Sequence, residues 1–218
     1  MEETKSSGSK PGSEKSDKYE IYTAILIGLA TFLGALSAYF SVLWSGQSQE
    51  AYIQAVRLQG DANTYYLENL NQLTQLQMDG FQDEMFYAEW KNNLQKGDPD
   101  AAYYFSLLSE GFQKDLQENP ENATNWEKEF GDKIAALEQQ FSEVDAMSDS
   151  AETFMKKGQE ANNHGDDFTF ATVLLTIVLF FGGLAALKTK DKVRVIYMVF
   201  AGIILVISIV RIVTVPFP

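Results

Sequence analysis

The chain has 218 residues, 45% of them hydrophobic, with no Cys, one His and a formal net charge of −13. The absence of Cys excludes a disulfide framework, a thiol nucleophile and a zinc-finger ligand set, and no nucleic-acid partner is expected of so acidic a chain. A mean hydropathy of −0.17 looks soluble, but the average hides strong segregation along the sequence.

Residues 1–18 are mostly Ser, Gly, Lys and Glu with one Pro. That composition buries no core and predicts a disordered tail. Ile21–Trp44 then runs for 24 residues without a charge, and Phe168–Leu187 for 20; Val195–Val210 is a third uncharged run between Arg194 and Arg211. About 20 apolar residues at ~1.5 Å per residue span a ~30 Å hydrocarbon core. Three transmembrane helices are expected, at 19–45, 168–187 and 194–215. The first is too long for a signal sequence, and Ala38-Tyr39-Phe40 is a poor cleavage site, so it reads as a retained anchor.

Charge orients these spans. Lys188, Lys190, Lys192 and Arg194 crowd the short 188–193 connection, and Lys5, Lys10, Lys15 and Lys18 precede the first span. Short basic flanks stay in the cytoplasm. Both therefore predict a cytoplasmic N-terminus, a cytoplasmic 188–193 loop and an extracytoplasmic segment 46–167. Ser45–Asp167 carries 24 acids against 8 bases, a net of −16, so the acidic mass falls on the outer side. Tyr19, Tyr22, Trp44, Phe168, Phe170 and Tyr197 lie where interfacial aromatic belts are expected.

The 46–167 segment reads as a helical, coiled-coil-like domain. Ala51, Ala55, Leu58, Ala62 and Tyr65 recur at alternating four and three spacing, with Tyr66, Leu70 and Leu73 on an adjoining stripe. This is a helix period, and nothing before it breaks the first span, so a stalk continuing that span is expected. Ile134, Leu137, Phe141, Val144, Ser148, Ala151, Met155 and Gly158 form a returning heptad seam. Antiparallel packing of the two stalks follows from their tethers. Between them, Asp79-Gly80 should end the first stalk and Phe81–Lys96 should form a second helix stopped by Gly97. Asp98-Pro99 should start a third with Ala101, Phe105, Leu108, Phe112 and Leu116 on one face, ended by Asn119-Pro120. Asn122-Ala123-Thr124 matches a glycosylation acceptor, but Thr124-Asn125-Trp126-Glu127 matches a capping box, the favoured reading.

No phosphate-binding loop, dinucleotide-binding Gly pattern, nucleophile elbow or zinc-binding His pair is present. Ligand-type residues gather only in Glu160, Asn162, Asn163, His164, Asp166 and Asp167. They could offer a divalent cation oxygen and imidazole ligands; the favoured reading is a polar hinge, with Gly165 interrupting the helix and Asp166 or Asp167 capping the second span. No catalytic, cofactor-binding or metal residue is assigned. Arg211 should snorkel to the outer interface, or else pair with Asp166 or Asp167. Span one carries small residues at Ala30, Gly34 and Ala38 and again at Ser37, Ser41 and Ser45. Two such faces predict one for internal packing and one for another subunit.

The stretch SGQSQEAYIQAVRLQGDANTYY after span one, with GDDFTFATVLLTIVLFFGGLA later, resembles uncharacterised prokaryotic membrane proteins known only as domains of unknown function. The resemblance implies a three-span prokaryotic cell-membrane protein and supplies no activity. The expectation is a non-enzymatic, all-α multi-pass membrane protein without cofactors. Its acidic ectodomain would act as an interaction or assembly module, with the lipid bilayer and either itself or another membrane protein as partners. The alternative is a channel or transport component with a pore between subunits, which requires Ser37, Ser41, Thr172 and Thr176 to face a lumen.

Overall fold

The computed structural model describes residues 11–119, 124–187 and 190–218, with side chains described for 18–119, 126–187 and 190–218. The described residues form five helices: α1 (Pro11–Lys96), α2 (Asp100–Leu107), α3 (Glu110–Glu118), α4 (Thr124–Ala186) and α5 (Asp191–Thr214). Helices α1, α4 and α5 each contain a stretch long and apolar enough to cross a membrane, matching the three uncharged runs. The start of α1 takes in residues 11–18, which composition had assigned to the tail. Pro11 suits that start, since a first-turn residue needs no backbone N–H. Residues 1–10 lie outside the described residues. The chain divides into two compact units, one holding the described residues up to Ile53 with Phe154–Pro218, the other Gln54–Thr153.

In the first unit α1, α4 and α5 pack around Phe168, Leu175 and Val178, with Ala30, Ala171, Ala201 and Ile212. Small residues set how closely α1 and α4 approach. Gly34 faces Leu175, and Gly182 is pressed against Leu26 and Ile27. Ser41 and Thr169 share a hydroxyl hydrogen bond of 2.8 Å, and Ser48 donates to the Gly158 carbonyl at 2.8 Å. A Cβ on Gly158 would lie 2.8 Å from the Tyr52 ring, so only glycine fits there. Numbers rise on α1 as they fall on α4, which makes the pair antiparallel. Helix α5 joins through Arg194, Ala201 and Ser208, and Val215 just past its end continues the count, every seventh residue and all buried.

The two small faces expected on span one prove to be one. Ala30, Gly34, Ser37 and Ser41 alternate by four and three along the α4-facing side, while Ala38 and Ser45 are exposed. No second small face is left over from that set.

Gly165 also differs from expectation. It does not break α4, which is continuous from Thr124 to Ala186. A Cβ there would come 3.4 Å from Ser45 Oγ and 3.5 Å from the Ser41 carbonyl. The glycine permits close approach of α1, and Asp166 and Asp167 sit mid-helix instead of at a cap.

In the second unit the expected seams are buried at some of their positions, while Tyr65 is exposed. Ala55 and Ala62 of α1 and Leu137, Val144 and Ala151 of α4 are buried. Tyr66, read as part of a separate stripe, packs edge-on to Phe141 at 5.6 Å, and Leu73 is half-buried, whereas Leu70 is exposed. Asp79-Gly80 does not end the first stalk, because α1 runs through to Lys96. Gly80 lies under the Phe130 ring, which a Cβ would meet at 2.7 Å. Its role is close packing, and the local sequence alone does not distinguish that from a break.

Gly97 does end α1. Its φ is 71°, a left-handed conformation that favours glycine. Its N–H bonds to the Leu94 carbonyl and that of Asp98 to the Asn93 carbonyl, the Schellman pattern. Asp98 then starts α2 by accepting from the Asp100 N–H at 3.0 Å. The single third helix of the sequence reading is two, α2 and α3, broken at Leu108-Ser109. The cause is Asp83 of α1, a buried carboxylate that accepts from the Ser109 backbone N–H at 2.7 Å and from its hydroxyl. Ser109 in turn caps α3 by accepting from the Phe112 N–H. Leu108, Phe112 and Leu116 nevertheless form one buried cluster, packed on Phe86, Tyr87, Trp90, Phe105 and Trp126.

The two kinds of glycine have opposite expected effects. Gly80→Leu should destabilise the full-length chain by at least about 1–3 kcal/mol through overpacking. Gly131→Ala, at a helical position where nothing lies within 4 Å, should stabilise it by about 0.5–1 kcal/mol. Reversible SDS titration in detergent compares them, and equal effects would contradict the packing at Gly80.

Candidate functional site

Trp44 is the centre of the junction where the apolar segments of the first unit meet polar sequence. Its indole N–H donates to the Pro216 carbonyl at 3.1 Å, tying α1 to the chain after α5. Its ring lies 4.7 Å from that of His164 on α4, tilted by 53°. Phe40, one turn earlier, meets Phe168 and Phe217 edge-on, each at 5.4 Å. A crevice of about 320 Å³ opens beside this cluster, lined by Trp44, Gln47, Ala51, Lys157, Glu160 and His164, among others.

The ligand-type residues of 160–167 do not converge here. Their spacing on an unbroken helix sends them to different neighbours. His164 meets the Trp44 ring at a tilt, Asp166 accepts from Asn162 at 3.1 Å, and Asp167 pairs with Arg211 at 3.3 Å. Glu160 lines the crevice, and Asn163 is exposed. Among the described residues no group of three His, Asp or Glu side chains is placed to hold a metal ion. The Arg211–Asp167 pair is the alternative left open by the sequence. The pair is half-exposed, so it is compatible with a guanidinium at the interface. The crevice thus offers an aromatic wall and a mixed-charge rim of Lys157 and Glu160, with the His164 imidazole beside it.

At the other end of the apolar segments, Arg194 is buried and its Nε donates to the Ala185 carbonyl at 2.8 Å. That carbonyl belongs to the last turn of α4, where carbonyls lack an intrahelical partner and attract cations. Glu20 lies 3.9 Å from the guanidinium, and the Tyr19 ring centroid 5.9 Å. Sequence reasoning counted Arg194 only as a topology charge, and missed its clamp on the α4–α5 turn. Lys190 and Lys192 are exposed, and Lys188 lies outside the described residues.

The second unit holds two further groups that sequence reasoning missed, the buried Asp83 and Asp115. Asp115 Oδ2 accepts from the Trp126 backbone N–H at 2.9 Å, in the first turn of α4, where an anion is favoured by free N–H groups and the helix dipole. Its Oδ1 has no hydrogen-bond partner among the described residues. Asn122 and Ala123, with the Thr124 side chain, lie outside the described residues, so the acceptor and capping-box readings fall there too. Asn69 is buried in a groove of about 580 Å³ between α1 and α4, with Tyr65, Glu68, Gln72, Glu143 and Met147.

No family model, curated protein or solved structure matches the chain.

Trp44→Ala should cost about 3 kcal/mol, since it removes ring packing in a partly buried site. Asp167→Asn should cost less than about 1 kcal/mol, as for other exposed ion pairs. Full-length variants compared by SDS titration test this ranking, and the reverse order would remove Trp44 from the centre of the junction.

Proposed function

We propose that the chain is a non-enzymatic three-span membrane protein whose acidic helical unit is an interaction and assembly module outside the membrane. The N-terminus and the 188–193 loop lie in the cytoplasm, and residues 46–167 lie on the extracytoplasmic side, where α1 and α4 pair as a coiled-coil-like stalk. The orientation rests on the two basic flanks. The assembly role rests on one observation: the second unit completes its own core yet leaves large apolar side chains exposed. Leu67, Met78, Phe81 and Met85 stand out on α1, and Tyr103 on α2. Thr74, Gln77, Met78, Phe81, Gln82 and Met85 border a shallow hollow of about 420 Å³. Exposed apolar groups of this size on an acidic surface mark contact surfaces. Methionine adapts to irregular partners.

The packing of hydroxyls supports this reading over a pore. Ser37 is buried, Ser41 and Thr169 bond to one another, and Thr172 and Thr176 donate to carbonyls one turn back in α4. The hydroxyls of Ser41, Thr172 and Thr176 are thus engaged within the chain, and that of Ser37 is buried without a partner among the described residues, whereas a lumen needs them directed toward water.

Two measurements test the proposal. Glu110→Cys should react with an impermeant thiol reagent in intact cells, while Lys190→Cys should be shielded until the membrane is opened. A photo-crosslinking residue at position 81 should give a covalent adduct in native membranes. Labelling of position 190 alone overturns the orientation, and absence of any adduct overturns the assembly role.

A further inference from the structure

Helix α1 has a second stripe, opposite the one that packs on α4. The α4-facing positions 23, 27, 30, 34, 37 and 41 continue by steps of four and three to Ala55, Leu58 and Ala62, and are buried or half-buried. The positions two residues earlier form a parallel count: 21, 25, 28, 32, 35, 39, 42, 46, 49, 53, 56 and on to 81. Two residues are about 200° of helix, so this stripe faces away from α4. Every one of its positions is exposed, and none carries a charge. The charges of α1 in this span, Glu50, Arg57, Asp61, Glu68 and Asp79, all fall off it.

Beyond the apolar segment the stripe stays uncharged, mixing large apolar residues with Gln49, Asn63, Thr74 and Gln77. In the first unit Phe32, Tyr39, Val42 and Ile53 lie on it, and in the second Val56, Leu67, Leu70 and Phe81. Ile53 and Phe81 are each 68% exposed. Lipid covers such residues up to about Trp44, but the part from Gly46 to Phe81 has no lipid to meet. Three glycines of α1, Gly28, Gly46 and Gly60, also fall on this count, and a Cβ on any of them would meet nothing within 4 Å. Gly34 and Gly80, off the stripe, face Leu175 and Phe130. A glycine inside a helix costs roughly 0.5–1 kcal/mol relative to alanine, and the single chain makes no use of the space these three leave.

We propose that a second copy of this chain covers the stripe, with the two α1 helices parallel, in register and related by a twofold axis. The argument is one of geometry and charge. A covering helix must itself pass from a membrane span into an outer stalk with an apolar face of the same period. Every inserted copy presents α1 in the same orientation, so the match is built in. Charge agrees. The segment 45–167 carries a net of −16, and a basic partner would be held by acidic positions, whereas a like-charged copy needs a face free of acids. The stripe is such a face. Glycines at 28, 46 and 60 let the backbones approach. Asn63 on the stripe has its Oδ1 engaged by Gln59 at 3.2 Å, leaving its amide to reach its counterpart and fix the register.

This inference rests on the assembly reading and names its partner. The test uses the full-length chain in native membranes, where its lack of Cys gives a clean background. Gly46→Cys, Ile53→Cys, Gly60→Cys, Leu67→Cys and Thr74→Cys, each alone, should form disulfide-linked dimers under mild oxidation. Glu68→Cys and Leu58→Cys, off the stripe, should not. Gly60→Leu, which meets open space in the single chain, should keep the SDS-titration midpoint within about 10% while lowering the dimer fraction at least tenfold in mass photometry. Dimers formed equally at on-stripe and off-stripe positions overturn the proposal, as does their absence everywhere. If position-81 adducts have the mass of a different protein and no stripe position forms a dimer, the assembly reading stands and the second copy is refuted.

Discussion

The close antiparallel contact of α1 with α4 is the constraint on which the remaining structure depends. Close approach of two long helices requires small side chains at the crossing points, and the chain supplies them in both units. In the first, Ser48 and Gly158 meet through a 2.8 Å hydrogen bond under the Tyr52 ring. In the second, Gly80 receives the Phe130 ring. Hydrophobic burial alone would not choose a register between two apolar stripes, because sliding one helix by seven residues restores a similar pattern. A glycine under a ring and a hydroxyl on a carbonyl do choose one. With α1 and α4 fixed, the third apolar helix needs only Arg194 on the Ala185 carbonyl at one end and Trp44 on the Pro216 carbonyl at the other.

Much of this was legible in the sequence, and the exceptions share a cause. Uncharged runs located the apolar segments, the four–three count located the α1 and α4 seams, and Gly97 with Asp98-Pro99 located the end of α1. The errors came from residues whose meaning depends on what lies opposite. Gly80 and Gly165 look like breaks because glycine is a poor helix former, yet both are places where another helix comes within van der Waals contact. Ser109 splits an expected helix because Asp83, 26 residues away, holds it. The ligand-type residues of 160–167, read as a polar hinge, lie on an unbroken helix, where a step of about 100° per residue sends His164 to Trp44 and Asp167 to Arg211 while Asn162 and Asp166 bond to each other. Partners distant in sequence leave no local signal.

Charge organises the molecule at a coarser level. Bases flank the apolar segments on the side read as cytoplasmic, and acids dominate residues 45–167. A strongly acidic stalk repels its copies at long range, with a screening length of ~10 Å at 0.1 M salt. Assembly therefore needs contacts that are short-ranged, apolar and free of acids. The outward stripe of α1 is free of charge and carries Ile53, Val56, Leu67, Leu70 and Phe81, while Ala30, Gly34, Ser37 and Ser41 lie on the side that packs on α4.

The most direct measurement of the central contact is disulfide trapping between α1 and α4. Ser41→Cys combined with Thr169→Cys places two thiols where the hydroxyl oxygens are 2.8 Å apart. In the full-length chain, oxidation in membranes should give an intramolecular disulfide for this pair, seen as faster migration of a monomer on a non-reducing gel. It should not form when the α4 partner is moved by two residues, to Ala171. Disulfides that form only between chains, or equally well at the shifted position, would contradict the register and with it the account of the fold.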